Sequence, residues 1–231
     1  MNSVAIFISL LKDRRSFLQD IHDGKKLPVK ISALLICSFC SFAVYGAIIG
    51  SFHSPQQALS SGIKLPTLYL ITLLVCLPAL YVFNALFGSR QTITQHFAYV
   101  LSAAAVIALL LVGFAPVTLF FSITIIPVQD YSFYLLLNVA IFAVTGVFGV
   151  SFLYQVMRPV AQSDTDTNVQ MRATLLRFWL CLYGFVGSQL GWTLRPFFGS
   201  PHGAFELFRP REGNFWTGVW NAIANLMHSA G

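Results

Sequence analysis

Between Ile31 and Leu194 the chain carries five long apolar stretches, and the first four contain no Asp, Glu, Lys, Arg or His. They occupy residues 31–52, 65–88, 97–128 and 131–157; the fifth, 173–194, holds a single charge, Arg177. A helix crosses the hydrocarbon of a bilayer with about 20 mostly apolar residues. Each stretch reaches that length, whereas a helix of a soluble core is shorter and shows a polar face. The predicted fold class is all-α: a polytopic transmembrane helical bundle of about five spans, with interfacial amphipathic helices at both ends. Residues 1–30 form a basic cytoplasmic segment, 31–194 the bundle, and 195–231 an extracytoplasmic loop and interfacial helix.

Five spans in 231 residues leave short loops and no separate soluble domain. A hydrophobic share of 56% against 10% charged residues agrees with lipid as the main solvent. The net charge of +6 does not point to nucleic acid, because of where it sits. Lys12, Arg14, Arg15, Lys25, Lys26 and Lys30 all precede the first span, where basic residues set topology and meet anionic headgroups. Arg90, Arg158 and Arg172 fall on the same side of a five-span chain, against Lys64, Arg195, Arg209 and Arg211 on the other. The positive-inside rule then puts the N-terminus in the cytoplasm and the C-terminus outside, in a bacterial inner membrane. The run 4–11 is too short for a signal peptide and lacks a preceding basic region, so insertion is expected to use the internal spans.

The stretch 97–128 is longer than a bilayer requires and contains Pro116. One kinked or tilted span fits it; a span ending near Phe114 with a half-buried return would move the C-terminus to the cytoplasm. Ahead of the spans, Val4, Phe7, Ile8, Leu11, Leu18 and Ile21 recur at helical spacing opposite Lys12, Asp13, Arg15, Gln19 and Asp20. This predicts one amphipathic helix, lying on the inner leaflet or packed on the protein's own helix ends. Asp23, Gly24 and Pro28 end it. Residues 53–64, with Ser54-Pro55, Ser60-Ser61 and Gly62, read as an irregular loop. Pro78 is expected to kink the second span.

All four tryptophans lie in the C-terminal third: Trp179, Trp192, Trp216 and Trp220. Trp192 falls where the fifth span leaves the lipid, a depth suited to an amphipathic ring. After Asn214, a candidate N-cap, Trp216, Val219, Trp220, Ile223, Leu226 and Met227 repeat at helical spacing. Trp192, Arg195, Arg209, Arg211, Trp216 and Trp220 are therefore candidates for contact with a partner or with lipid. Arg195 also has Glu206 and Glu212 within reach of the same loop.

Two glycine sets are candidates for close helix packing: Gly46 with Gly50, and Gly184, Gly187, Ser188 and Gly191. Internal packing is the simpler use of both. Cys37 and Cys40 share a helix face, but no loop cysteine is placed to relay electrons, and apolar surroundings suppress thiolate chemistry. Arg177 lies one turn inside the fifth stretch, near enough to the headgroups to snorkel. No span holds an acid or histidine for proton relay, no metal-ligand spacing or phosphate loop occurs, and no repeat is visible. No catalytic residue, metal or cofactor is assigned.

The stretches Tyr45-Gly46-x3-Gly50, Gln57-Ala58-Leu59, Lys64-Leu65-Pro66 and Leu80-Tyr81-Val82-Phe83-Asn84-Ala85-Leu86-x-Gly88-Ser89 resemble small bacterial five-span membrane proteins without an assigned activity. Ala115-Pro116-Val117, Leu137-Asn138-Val139 and Gly191-Trp192-x-Leu194-Arg195-Pro196-Phe197 continue that likeness. In topology the chain is also similar to the Yip-type (Ypt/Rab-interacting) membrane family, whose eukaryotic members are linked to vesicle trafficking and bind small GTPases. The resemblance implies five spans and a non-enzymatic role, and carries no GTPase-binding residue over. The expected function is a membrane scaffold, assembly or accessory subunit that binds lipids and other membrane proteins. The alternative is a homo-oligomeric channel or passive transporter lined by residues such as Asn138 and Gln189.

Overall fold

The computed structural model describes residues 3–86, 91–124, 131–162, 169–199, 205–208 and 213–229. Every regular element among them is an α-helix: α1 (Ser3–Lys12), α2 (Arg14–His22), α3 (Leu27–Ser51), α4 (Pro55–Leu86), α5 (Ile93–Thr124), α6 (Tyr131–Gln162), α7 (Val169–Thr193) and α8 (Phe215–Ser229). Four of them, α3 to α6, are long and apolar enough to cross a membrane. The helix α7 is 25 residues long, carries Arg172 and Arg177, and stands outside that set.

The N-terminal segment is two helices instead of the single one expected. Asp13 leaves helical geometry at φ −135° and ψ 67°, and its carboxylate accepts the backbone N–H of Ser16, capping α2. The break rotates the buried face. Ile6, Phe7 and Leu10 are buried on α1 and Phe17 and Ile21 on α2, while Ile8 and Leu11 are half exposed. A larger correction concerns residues 53–64. Only a short connection separates α3 from α4, because Ser54 accepts the N–H of Gln57 and Pro55 takes the first helical position, where a missing N–H costs nothing. Ser60, Ser61 and Gly62 therefore lie inside a helix that runs on through Pro66 and Pro78. Likewise α5 is one continuous helix through Pro116, about 48 Å long at its 32 residues.

The chain divides into two compact units built from segments of the same helices. Unit 1 holds residues 1–39, 70–108 and 146–185; unit 2 holds 40–69, 109–145 and 186–231. Unit 1 carries ten of the 14 Lys and Arg residues and five of the eight acids, and unit 2 the remaining four and three.

In unit 1 the core combines Leu34, Leu73, Cys76, Leu80, Tyr99, Leu101, Phe152 and Trp179 with the buried faces of α1 and α2. Gly149 of α6 lies against Ile107 of α5, where an added Cβ would come within 2.3 Å of its Cγ1. The indole N–H of Trp179 donates to the Cys76 carbonyl at 2.8 Å, tying α7 to α4. Several polar ties hold the helix α2, among them a contact of Gln91 Nε2 with His22 Nδ1 at 3.1 Å. Lys30 Nζ donates to Asp20 at 2.8 Å and to the Phe17 carbonyl at 3.2 Å. Gln95 Nε2 donates to the carbonyls of Ile21 and His22, while Gln95 and Thr92 cap the start of α5 reciprocally. Arg14 Nη2 donates to Gln155 Oε1 at 2.8 Å.

In unit 2 the helices α3, α5 and α6 meet at a fully buried polar group. The Tyr45 hydroxyl donates to Asn138 Oδ1 at 2.9 Å and accepts from Thr118 Oγ1 at 3.1 Å. The Asn138 amide donates onward to the Tyr134 carbonyl. Two of these bonds run between helices and the third within α6, pairing polar groups that would be costly to leave alone in an apolar interior.

Candidate functional site

Two of the candidates named from sequence, Trp192 and Arg195, lie in unit 2 beside the segment that follows α7. A cis peptide joins Arg195 to Pro196, and the next residues fold back onto the first three turns of α4. Gln57, Ser61 and Lys64 sit at i, i+4 and i+7 of that helix and so share one face. Gln57 Nε2 donates to the Pro196 carbonyl at 2.8 Å, and the Ser61 hydroxyl donates to the Phe197 carbonyl at 2.6 Å. Lys64 Nζ reaches the carbonyls of Pro196 and Leu207 and lies 4.7 Å from the centre of the Phe208 ring. Its side chain is 6% exposed, and no carboxylate among the described residues pairs with it. Carbonyl dipoles and a ring face take the place of a counterion.

Gly199 completes the turn at φ +72°, and a Cβ there would fall 2.3 Å from the His53 ring. Only glycine meets both the backbone and the space demand. Tyr131 donates its hydroxyl to the Gly199 carbonyl at 3.1 Å, and Phe198 meets Tyr134 edge to face. The knot therefore joins α4, α6 and the post-α7 segment.

Trp192 is the link to α8. Its indole N–H donates to the Gly213 carbonyl at 3.1 Å, and the Arg195 guanidinium stacks 3.9 Å above its ring. Gly218 of α8 packs on the other edge, where a Cβ would come within 2.3 Å of Cζ3. Asn214 caps α8 as expected: its Oδ1 accepts the Thr217 N–H at 3.0 Å, and Thr217 Oγ1 accepts the Asn214 N–H. On the outward side of α8, Trp216, Trp220, Ile223 and Met227 form an exposed stripe. Arg209 and Arg211 lie outside the described residues.

The glycine candidates separate by environment. A Cβ on Gly46 would stand 2.4 Å from the Ser61 carbonyl oxygen, and one on Gly50 would stand 2.5 Å from that of Gln57. Those two glycines let α3 and α4 touch backbone to backbone. At Gly191 an added Cβ makes ordinary contact with Leu68, and at Gly184 it meets nothing within 4 Å. Gly187 and Ser188 lie half buried on α7. Cys37 and Cys40 differ in burial, and no disulfide or metal-ligand cluster occurs among the described residues.

Sequence reasoning passed over Gln57, Ser61 and Lys64 because they fell in a segment read as loop. The Ser54-Pro55 pair was the available signal of a helix start, and the three residues then follow at helical spacing. Arg14 and Gln155, distant in sequence, carried no such signal. The chain matches no protein-family model, no curated protein and no solved structure.

Proposed function

We propose that this chain is a non-enzymatic integral membrane protein, a scaffold, assembly or accessory subunit that packs laterally against another membrane protein. In this reading it crosses a bacterial inner membrane five times, with its N-terminus in the cytoplasm. The observation that carries the proposal is the outward face of α7. Thr174, Arg177, Phe178, Cys181, Gly184 and Phe185 recur at three- and four-residue spacing, and all are exposed. Phe178 and Phe185 flank a position where a facing helix has room to approach. Between helices in lipid, close approach at small residues supplies much of the association energy. The Gly46–Gly50 face is spent on α4, whereas Gly184 of α7 has open space above it for a partner.

Two further observations support the topology. The basic excess of unit 1 agrees with a cytoplasmic surface. The exposed Trp216 and Trp220 suit a helix lying at the outer headgroup region, and they are the lipid contacts of this reading together with Trp192 and Arg195.

The deciding experiment is mass determination of the intact complex in a mild detergent or native nanodisc. The wild type is expected in assemblies larger than its 25.6 kDa protomer, with other polypeptides present. Gly184→Leu fills the open position and is expected to lower the assembled fraction about tenfold without lowering the protomer's own thermal midpoint. A lone wild-type protomer overturns the proposal, and a closed homo-oligomer replaces it with the channel reading.

A further inference from the structure

Unit 1 contains an open cavity of about 320 Å³ between α6 and α7, lined by Val150, Ser151, Tyr154, Gln155, Arg177 and Leu180. Its polar wall consists of hydrogen-bond donors. Ser151, Tyr154 and Gln155 stand at i, i+3 and i+4 on one face of α6, and Arg177 faces them from α7 with its guanidinium 5.7 Å from the Tyr154 ring centre. A second guanidinium adjoins the cavity: Arg14 donates to Gln155 Oε1 and lies 5.0 Å from the Phe152 ring centre. That bond occupies the carbonyl of the Gln155 amide and leaves its NH₂ to donate.

No carboxylate balances this charge among the described residues. In unit 1, Asp13 accepts the Ser16 N–H, Asp20 is paired with Lys30, and Asp23 with Lys25. Two guanidiniums over a donor-lined recess call for an anion with several acceptor oxygens, and phosphate matches the planar fork of arginine. The surroundings indicate how that phosphate arrives. Val147 and Phe148, one turn before Ser151 on α6, are 64% and 60% exposed, so an apolar surface leads into the polar recess. A polar head on a hydrocarbon body fits both parts.

We propose that the α6–α7 cavity binds the phosphate headgroup of an anionic phospholipid, with Arg177 and Arg14 as its cationic contacts and Val147 and Phe148 along its acyl chains. The lipid then bridges α2, α6 and α7 at the N-terminal segment. The site shares Arg177 with the outward face of α7, but its test uses the isolated chain and does not depend on any partner.

The test is native mass spectrometry of the full chain released from nanodiscs containing phosphatidylglycerol and phosphatidylcholine in equal amounts. The wild type is expected to retain phosphatidylglycerol selectively. Arg14→Gln with Arg177→Gln should lower that retention about 30-fold, and Arg177→Gln alone, on an exposed side chain, about fivefold. A control that removes two exposed charges elsewhere, Lys12→Gln with Lys26→Gln, should change it less than about twofold. Equal retention by the Arg14/Arg177 variant overturns the site, and so does an equal loss in the control, which would mean diffuse surface charge. Displacement of the lipid by an equal concentration of inorganic phosphate would also overturn the proposal, in favour of a free-anion site.

Discussion

Gly46 and Gly50 owe their identity to two carbonyl groups, those of Ser61 and Gln57 on the facing helix. Even one methyl at either position meets backbone, which cannot swing aside as a side-chain end can. Gly46→Ala is therefore expected to destabilise the protein by about 1–3 kcal/mol, the range for overpacking. Gly113, with nothing within 4 Å of its Cβ direction, is the matched comparison: Gly113→Ala should be neutral or stabilise by up to about 1 kcal/mol. Thermal midpoints of the two variants in one detergent check the pair. The hydrogen bond from Lys30, and next its charge, hold the Asp20 carboxyl below its ordinary value of 3.8. A group lowered in the folded state contributes stability above its ordinary value and loses it as pH falls through the lowered one. The thermal midpoint of the wild type should thus exceed that of Asp20→Asn at pH 6. The difference should close as the pH falls below about 4. A difference that persists unchanged at pH 3 would rule the linkage out.

At the level of elements, α4 shows how much one helix start decides. Because Ser54 and Pro55 begin it early, Gln57, Ser61 and Lys64 form a face that receives the carbonyls of Pro196, Phe197 and Leu207. Gln57→Leu leaves the Pro196 carbonyl without its short amide bond, a loss expected to cost about 1–3 kcal/mol. Hydrogen exchange should accelerate across residues 194–199 while α3 is unaffected; uniform acceleration would mean a global loss instead. The same element marks the limit of what the sequence disclosed. The long apolar helices were legible because lipid demands length and hydrophobicity, which are local properties. The α8 start was legible because Asn214 caps it through neighbours three residues away. The Ser60-Ser61-Gly62 run was misread because the Ser61 hydroxyl, like the Gln57 amide before it, serves a segment more than 130 residues distant, a non-local demand. The break at Asp13 was hidden by an apolar period that continues across it. The cavity needed Arg14, Gln155 and Arg177 brought together from three separate helices. Of the unit 2 site, Trp192 and Arg195 were visible as candidates at the interface, but the seat of Trp192 on Gly213 and Gly218 was not.

For the whole molecule the number of crossings decides which surfaces a partner meets, and it turns on α7. Four helices reach the length and hydropathy of a span without help. The helix α7 is as long as α3 at 25 residues, but begins with Arg172 and Arg177 inside it. At about 37 Å it is long enough to cross hydrocarbon if Arg177 extends toward headgroups, as long basic side chains near a helix end do. The Trp192 ring near its other end then sits at the opposite interface. Five crossings put Lys12 and Glu206 on opposite sides of the membrane; four put them on the same side. Both side chains are exposed, so each accepts a cysteine without disturbing the core. In the proposed five-span orientation in a bacterial inner membrane, with Cys37, Cys40, Cys76 and Cys181 replaced, Glu206→Cys is expected to react with an impermeant maleimide in intact spheroplasts. Lys12→Cys should react only after lysis. Labelling of both from the same side would make α7 a surface helix, and its Phe178–Gly184–Phe185 face would then meet headgroups in place of a neighbouring span. The cavity at Arg177 would keep its donors in either case, since α6 supplies most of them.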